Sequence, residues 1–426
     1  MSRIDRTQAP AMQAMDNFKV IEPGHITLDN GISLYVINKG TQELVRISLV
    51  FGAGVWYEDL PFTAQASNLM LREGTNLMTS AEIEEKLDFF GAYLETAVEQ
   101  DNSYISLYSL NKHVHELLPL LRDIIREASF PEKEFEILVG RQKQYLAVNE
   151  QKVNYLARTR FSALIFGPEH PYGSYRQSTH LENINVAALK VFHHQHYTPG
   201  NCRIVVAGKV SDDLIRMLNV TLGNKGWGNE FLPDRDFISD ADAEFKHYLV
   251  RKDTIQAAIR IGKQLFNRTH PDFLGMQVLN TVLGGYFGSR LMTNLREEMG
   301  CTYGVGSALI SLKHSGSFFI TSEVDADAAH QAATEVYREI DRLCTDLVPD
   351  SELQLVKNYM LGKFLRSIDG PFAMADMIIS VLESGSDMSY FNRFTEVIRY
   401  ISAGELRDLA RKYLVPSTFH EIIVGK

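Results

Sequence analysis

Short segments in which apolar and polar residues alternate mark strands in both parts of the chain. Residues 47–52 (ISLVFG) alternate and end at glycine, and residues 257–262 (AAIRIG) do the same. A period of two residues predicts half-buried β-strands. Residues 26–37 (ITLDNGISLYVI) predict a β-hairpin, because Asn30 and Gly31 separate two apolar runs and suit a tight turn.

Helical segments lie between these groups of strands. Residues 80–90 (SAEIEEKLDFF) predict a helix that Ser80 caps, and residues 113–126 predict a longer helix. Residues 104–110 (YISLYSL) again predict a strand. Groups of strands between helices are typical of α+β proteins. We therefore expect mainly antiparallel sheets covered by helices, rather than a doubly wound parallel sheet.

The chain repeats itself once. Matching residues recur 210 positions apart early in each part and 217 positions apart late in each part, as in Pro61 and Pro271, Gly74 and Gly284, Pro199 and Pro416, and Gly208 and Gly425. A displacement that grows so little indicates a duplication with small loop insertions, and hence two similar halves. We place the first half at residues 1–222, the second at 246–426, and a linker rich in Gly, Asn, Asp and Pro at 223–245.

Composition and charge narrow the function classes. The chain of 426 residues is 45% hydrophobic and 23% charged, which excludes a disordered or fibrous protein. A net charge of −10 gives no overall attraction to nucleic acid or anionic lipid, and no apolar run is long enough to span a membrane. Three widely spaced cysteines form no disulfide framework, and the N-terminal residues lack an apolar leader. We expect a cytoplasmic protein that binds neither nucleic acid nor membrane.

The histidines do not form a recognisable metal site. His193, His194 and His196 follow one another on a predicted helix, but a metal ion there needs a further ligand from another element, and none is identifiable. We expect these histidines on a solvated face of that helix. His113 and His115 are two residues apart, which directs them to different sides of a helix.

The segment 283–305 (LGGYFGSRLMTNLREEMGCTYGV) is the most distinctive in the second half. Ser289 is expected to cap a helix that ends at Gly300, which suits a left-handed conformation, and a strand then begins. A reversal between helix and strand can bring the guanidinium of Arg296 and the phenol of Tyr303 towards one spot. The alternative from these residues alone is an exposed arginine and a half-buried strand tyrosine.

This segment resembles the second-half signature of the pitrilysin/insulinase family of zinc peptidases. Other motifs fall in the order of that family: GAG-x-x-x-E at 52–58, HPYG at 170–173 and YTPGN at 197–201. The resemblance runs from about residue 24 to the end. It implies that two such chains, or two fused modules, close around an unfolded peptide. One module of such a pair carries a zinc motif, H-x-x-E-H, just before a Gly-Thr pair, and a third ligand, a Glu, further along the chain.

This chain keeps the Gly-Thr pair, at residues 74–75, but not the zinc ligands. Counted back from that pair, the three motif positions fall on Gln65, Asn68 and Leu69. The third-ligand region, residues 143–146 (KQYL), has no carboxylate; Glu136 and Glu150 lie several residues away. We therefore expect no zinc bound by this chain and no peptidase activity from it alone.

The resemblance assigns the other part of the active site to Arg296 and Tyr303. In the family, these residues of the second half reach across to the zinc module, where Tyr stabilises the oxyanion and Arg holds a substrate carbonyl. The resemblance thus implies a non-catalytic, peptide-binding subunit that completes the active site of a zinc-bearing homologous subunit in a heterodimer. A scaffolding subunit, or a homodimer that sequesters peptides without cutting them, are the alternatives.

Overall fold

The chain forms two α+β halves, each built around one sheet, and the computed structural model describes residues 21–224 and 235–426. The strands of the first half are β1 Gly24–Thr27, β2 Ser33–Asn38, β3 Leu44–Phe51, β4 Tyr93–Val98, β5 Ser103–Leu110 and β6 Cys202–Gly208. Its helices are α1 Thr63–Met70, α2 Ser80–Phe89, α3 Val114–Arg126, α4 Glu132–Asn149, α5 Val153–Phe166, α6 Val186–His196 and α7 Asp212–Leu222.

The second half follows the same plan. Its strands are β7 Lys246–Val250, β8 Gln256–Leu265, β9 Thr302–Ser311, β10 Gly316–Asp325 and β11 His420–Gly425. Its α-helices are α8 Phe273–Asn280, α9 Ala329–Thr345, α10 Asp350–Ser367, α11 Pro371–Glu383, α12 Ser389–Tyr400 and α13 Ala403–Tyr413. Two segments, Thr281–Gly285 and Met292–Glu298, are wound as wider π-helical turns. Across the two described ranges, no helix is both long and apolar enough to cross a membrane.

The two sheets have the same strand order. It is β2-β6-β3-β5-β4 in the first half and β7-β11-β8-β10-β9 in the second, and the first sheet adds β1 outside β2. In each sheet one pair is parallel, β2 with β6 and β7 with β11, and the other pairs are antiparallel. The α+β class with two similar halves is confirmed. The bounds of the halves and the linker stay a prediction, because residues 225–234 lie outside the described residues.

The predicted hairpin and the helix after it are confirmed, with a correction to the helix cap. Strands β1 and β2 form the expected hairpin, with Gly31 in the left-handed region at a φ of 90°. Helix α2 forms as expected, but Ser80 is not its cap. The side chain of Thr79 accepts a hydrogen bond from the amide of Glu82, whose carboxylate accepts one from the amide of Thr79. This reciprocal capping box outcompetes a cap at Ser80, whose hydroxyl instead donates to Glu73 at 3.0 Å.

Each half covers the sheet of the other with one helix. Helix α5 of the first half packs on β8 and β11, and α11 of the second half packs on β6 and β2. Ile37 and Val205 of the first sheet accordingly share a core with Met374 and Ile378 of α11. Because both apolar faces depend on a helix from the other half, the two halves form one packed unit.

The turn between β9 and β10 also ties the halves together. The His314 ring stacks on the buried Trp56 indole, with the ring centroids 4.0 Å apart. The Lys313 amide donates to an oxygen of Asp101 at 2.9 Å, and its ammonium donates to the Tyr57 hydroxyl at 3.0 Å. Stacking and charge-assisted hydrogen bonds therefore fix this turn of the second half in the first.

Candidate functional site

Helix α1 carries the three positions that match the zinc motif. Gln65 and Leu69 are half-buried and lie four residues apart, so they share a side of the helix. Asn68 is completely buried. The helix geometry of the family is thus present, with an amide, an amide and an alkyl side chain at the three positions.

Asn68 has become part of the hydrogen-bonded core. Its side-chain amide donates to the Tyr197 hydroxyl at 3.2 Å and to the Tyr104 carbonyl at 3.3 Å. Burial raises the pKa of Tyr197 to about 12, which keeps the phenol neutral. The Asn68 Oδ1 atom has no hydrogen-bond partner among the described residues. The position that would hold a general base in the motif therefore joins α1 to β5 and to the residue that follows α6.

The third-ligand region likewise offers no ligand. Residues 143–146 lie on α4, where Lys143 pairs with Glu182 at 3.5 Å, Tyr145 is exposed and Leu146 is buried. Within residues 21–224 and 235–426, no three His, Cys, Asp or Glu side chains are grouped so that they could hold a metal ion. The donor set around α1, two amides and a leucine, does not fit Zn²⁺, which binds thiolate, imidazole and carboxylate.

The histidines of α6 correct the expectation of a solvated face. His196 is buried, and His193 donates from Nε2 to the Ile125 carbonyl at 2.7 Å; only His194 is exposed. Desolvation lowers the pKa of both His193 and His196 to about 4. The prediction failed because packing of α6 against α1 and the end of α3 buries the side that its sequence marks as polar.

The reversal in the second half is present, with one error in detail. Gly300 adopts the expected left-handed conformation at a φ of 62°, and β9 begins at Thr302. Ser289 does not use its side chain to cap the helical segment that follows it and precedes β9. The carbonyl of Ser289 accepts from the Thr293 amide at 3.0 Å, whereas its buried hydroxyl has no partner in the described part of the chain.

Arg296 and Tyr303 both lie at the surface. Tyr303 is 89% exposed, more than the half-buried strand tyrosine of the alternative. Arg296 lies in the π-helical segment with its guanidinium 4.6 Å above the Phe287 ring, and Phe287 is itself exposed. Between the described residues, no hydrogen bond joins Arg296 to Tyr303. The reversal leaves a cation supported by an aromatic ring and a phenol that faces solvent.

Sequence reasoning missed a charged junction between the halves. A cavity of about 430 Å³ is lined there by the carboxylates Glu99, Asp101 and Glu383 and by the cations Arg268 and Lys313. The Tyr104 hydroxyl donates to the Glu383 carboxylate, and burial raises the pKa of Glu383 to about 7. No local pattern could have revealed this contact, because its partners are 279 residues apart.

Comparison with known proteins gives the family. The model described as "Insulinase (Peptidase family M16)" matches residues 34–167, and "Peptidase M16 inactive domain" matches residues 183–360. The "Uncharacterized zinc protease YmxG" of Bacillus subtilis is 24% identical over 80% of this chain and 84% of its own length. The "Mitochondrial-processing peptidase subunit beta" of Bos taurus is 24% identical over 97% of this chain and 86% of its own.

A solved structure shows the same fold. The crystal structure of a peptidase M16 inactive domain from Pseudomonas fluorescens matches with a TM-score of 0.87 at 20% identity, over 95% of this chain and 98% of that one. The two family models succeed one another along the chain, and the motif positions on α1 carry none of the zinc ligands. The chain therefore belongs to the pitrilysin/insulinase family of zinc peptidases, peptidase family M16, and holds Gln65, Asn68 and Leu69 at the positions of the zinc motif.

Proposed function

We propose that this chain is the non-catalytic subunit of a heterodimeric zinc metallopeptidase and completes the active site of a zinc-bearing homologous subunit in trans. The observation that carries the proposal is the exposure of Tyr303, at 89%. A phenol at the start of a strand, with no structural partner among the described residues, is available to an opposing subunit. The zinc ion belongs to that subunit.

Arg296 and Tyr303 supply complementary chemistry to such a site. The Tyr303 hydroxyl donates to the oxyanion that forms when water attacks a peptide carbonyl at the partner's zinc. Arg296 donates to a substrate carbonyl, and the Phe287 ring below it limits the positions of the guanidinium. Both groups act on the substrate without a metal ligand from this chain.

The free edges of the two sheets support peptide binding. Strands β4 and β9 lie at the ends of their sheets, and the exposed positions on β4 include Tyr93 and Glu95. An edge strand can pair with an extended peptide through main-chain hydrogen bonds, which tolerate many sequences. Unfolded or extended peptides are therefore the substrate class of this proposal.

The proposal also includes a zinc-bearing partner subunit and a cytoplasmic location. One relative is by name a subunit of a processing peptidase, which is consistent with work in a complex. The three cysteines, all within the described residues, are free, as is usual in a reducing cytoplasm. The net charge of −10 favours neither nucleic acid nor an anionic membrane as a partner.

The test is reconstitution with the zinc-bearing subunit, identified by co-purification as a homologue with an intact H-x-x-E-H motif. Tyr303→Phe is expected to lower kcat by about 10²–10³, the usual loss for one oxyanion donor. Arg296→Ala is expected to raise KM as well, because it also loses a contact to bound peptide. Tyr400→Phe, at another exposed tyrosine, is the matched control.

Two outcomes contradict the proposal. If the reconstituted pair cleaves peptides and both variants match the wild type within twofold, the residues do not act in trans and a scaffolding role is favoured. If no zinc-bearing homologue co-purifies and the chain forms a dimer with itself, the homodimer that sequesters peptides is favoured.

A further inference from the structure

Tyr303 has an irregular position in the pairing of β9 with β10. Gly304 of β9 lies opposite Glu323 of β10, in register with the rest of the pair. The next residue of β10, Val324, lies opposite Thr302. Tyr303 is therefore an extra residue on β9, and the strand carries a β-bulge there. Bulges are frequent at the edges of sheets, and β9 is the edge strand of its sheet.

The bulge determines which face of the sheet Tyr303 is on. Successive residues of a regular strand point to opposite faces, so Tyr303 in a regular strand would share the face of Val305, which is buried. The observed pattern breaks this alternation. Thr302 and Val305 are both buried, and the two residues between them, Tyr303 and Gly304, are both exposed. The extra residue therefore moves the phenol from the core face to the surface.

Two hydroxyl groups hold the backbone of the bulge. The Thr302 hydroxyl donates to the Glu323 carbonyl at 2.6 Å and accepts from the Gly304 amide at 3.0 Å. The Ser322 hydroxyl lies 3.1 Å from the Thr302 hydroxyl and 3.1 Å from the Gly304 carbonyl. Ser322 and Thr302 are both buried. These hydrogen bonds compensate for the ladder bonds that a bulge interrupts.

The strand on each side of the bulge is joined to the segment that carries Arg296. The amide of Cys301 donates to the carbonyl of Leu295 at 3.1 Å, and the amide of Val305 donates to the sulfur of Met292 at 3.5 Å. Leu295 and Met292 are both buried. The bulge and the arginine are therefore parts of one framework, and a shift of the bulge changes the position of the phenol relative to the guanidinium.

We propose that Thr302 and Ser322 are positioning residues, whose hydroxyls hold the bulge that presents the Tyr303 phenol to the active site of the zinc-bearing partner. Because Tyr303 is 89% exposed, its direction is set by the backbone beneath it rather than by packing of its ring. A misplacement of about 1 Å can cost about 10²-fold in rate. The inference rests on the in-trans role of Tyr303 in the proposed function.

Hydrogen exchange in the isolated chain tests the bulge without the partner. The Gly304 amide donates to the Thr302 hydroxyl, so Thr302→Val is expected to speed exchange of this amide by about tenfold or more. Thr302→Ser keeps the hydroxyl and is expected to leave the rate unchanged. NMR measures the rates of individual amides. An unchanged rate in Thr302→Val would show that the hydroxyl does not hold the bulge and would overturn the proposal.

Turnover by the pair reconstituted with the zinc-bearing subunit tests the positioning role. Thr302→Val and Ser322→Ala are each expected to lower kcat by about tenfold or more and to leave KM within about twofold. Thr302→Ser is expected to restore kcat to within about threefold of the wild type. Ser307→Ala is the matched control, because it removes another buried hydroxyl of β9, one that donates to the Asn280 carbonyl at 3.1 Å. Its kcat is expected to match the wild type.

A double variant separates positioning from general damage to the sheet. Once Tyr303→Phe has removed the hydroxyl, a shift of the ring has no further effect on the oxyanion. Thr302→Val combined with Tyr303→Phe is therefore expected to match Tyr303→Phe alone within about twofold, and losses that multiply would overturn the proposal. If Tyr303→Phe lowers kcat while Thr302→Val and Ser322→Ala match the wild type, the positioning role is wrong and the in-trans function stands. If Tyr303→Phe itself matches the wild type, the in-trans function is wrong, and the positioning role with it.

Discussion

The two halves share a strand order, but the motif residues that each carries differ in burial. In the first half, Asn68 of the former zinc motif is completely buried and bonded to Tyr104 and Tyr197. In the second half, Tyr303 is 89% exposed and Arg296 contacts the exposed Phe287. The position that would hold the general base of the motif is here part of the core. Tyr303 and the half-buried Arg296 make no hydrogen bond to each other, and in the proposed function they face the partner.

This contrast predicts that the two regions contribute to different properties of the protein. Substitutions on α1 are expected to change the free energy of unfolding but not the activity of the complex. Substitutions of the surface pair are expected to change activity in the complex without changing stability. The four predictions that follow test this separation, from the largest expected effect to the smallest.

Restoring the zinc motif is expected to damage the first half. The triple variant Gln65→His, Asn68→Glu and Leu69→His places a carboxylate where an amide now donates to a carbonyl oxygen. An unpaired buried charge lowers the free energy of unfolding by about 3 kcal/mol or more. Urea unfolding measures the loss. Zinc titration is expected to show at best weak binding, because the region 143–146 supplies no third carboxylate. Tight binding of one zinc per chain would contradict this prediction.

Stability is expected to fall as the pH rises through the titration of Glu383. Its pKa is about 7 in the folded chain, against an ordinary value of 4.5, because burial disfavours its charged form. Between these values the folded state holds a proton that the unfolded state has lost, so the contribution is present below pH 4.5 and lost by pH 7 to 8. The full effect is about 3 kcal/mol.

Glu383→Gln isolates this effect from other titrating groups. The variant keeps a hydrogen-bonding group beside Tyr104 but cannot ionise next to Glu99 and Asp101. Its urea midpoint is therefore expected to fall less between pH 5 and pH 8 than that of the wild type. Parallel pH profiles for the two proteins would show that this carboxyl does not titrate in the folded junction.

Removing one hydroxyl behind α1 is expected to have a moderate effect. Tyr197→Phe deletes the acceptor of the Asn68 amide and leaves only the longer bond to the Tyr104 carbonyl. The loss of a buried hydrogen bond costs about 1–2 kcal/mol, measured as a shift in the midpoint of unfolding. Tyr400→Phe, at an exposed position on α12, is the control and is expected to be neutral.

The surface pair is expected to have the smallest effect on folding. Arg296→Ala and Tyr303→Phe remove groups that bear no buried hydrogen bond, so each changes the free energy of unfolding by about 0.5 kcal/mol or less. Thermal melting of the isolated chain checks this. A loss above about 1 kcal/mol for either variant would place the pair in the structural framework and weaken the separation between the halves.

Patterns local in the chain predicted much of the fold. The hairpin at Asn30 and Gly31, the reversal at Gly300 and the repeated strand order follow from turn chemistry and from matched residues. The errors concern details that depend on contacts with other residues, such as the choice of a helix cap. Thr79 rather than Ser80 caps α2 because Glu82 can complete a capping box only with Thr79.

Tertiary packing explains what the sequence did not reveal. Whether the polar residues of α6 face solvent depends on which helices cover them, and His196 is buried. The junction of Tyr104 with Glu383 joins residues that are far apart in the chain, so no spacing predicts it. The bulge that turns Tyr303 to the surface becomes visible only when the pairing of β9 with β10 is known.

The exchange of helices between the halves has a consequence for the order of synthesis. The apolar residues Ile37 and Val205 of the first sheet leave the ribosome long before Met374 and Ile378 of α11, which cover them. For most of translation the first half therefore exposes one apolar face of its sheet and is at risk of aggregation. The nascent chain therefore has to be protected from aggregation until α11 has been synthesised. A chain truncated before α11 is expected to be an aggregation-prone fragment rather than a smaller stable domain.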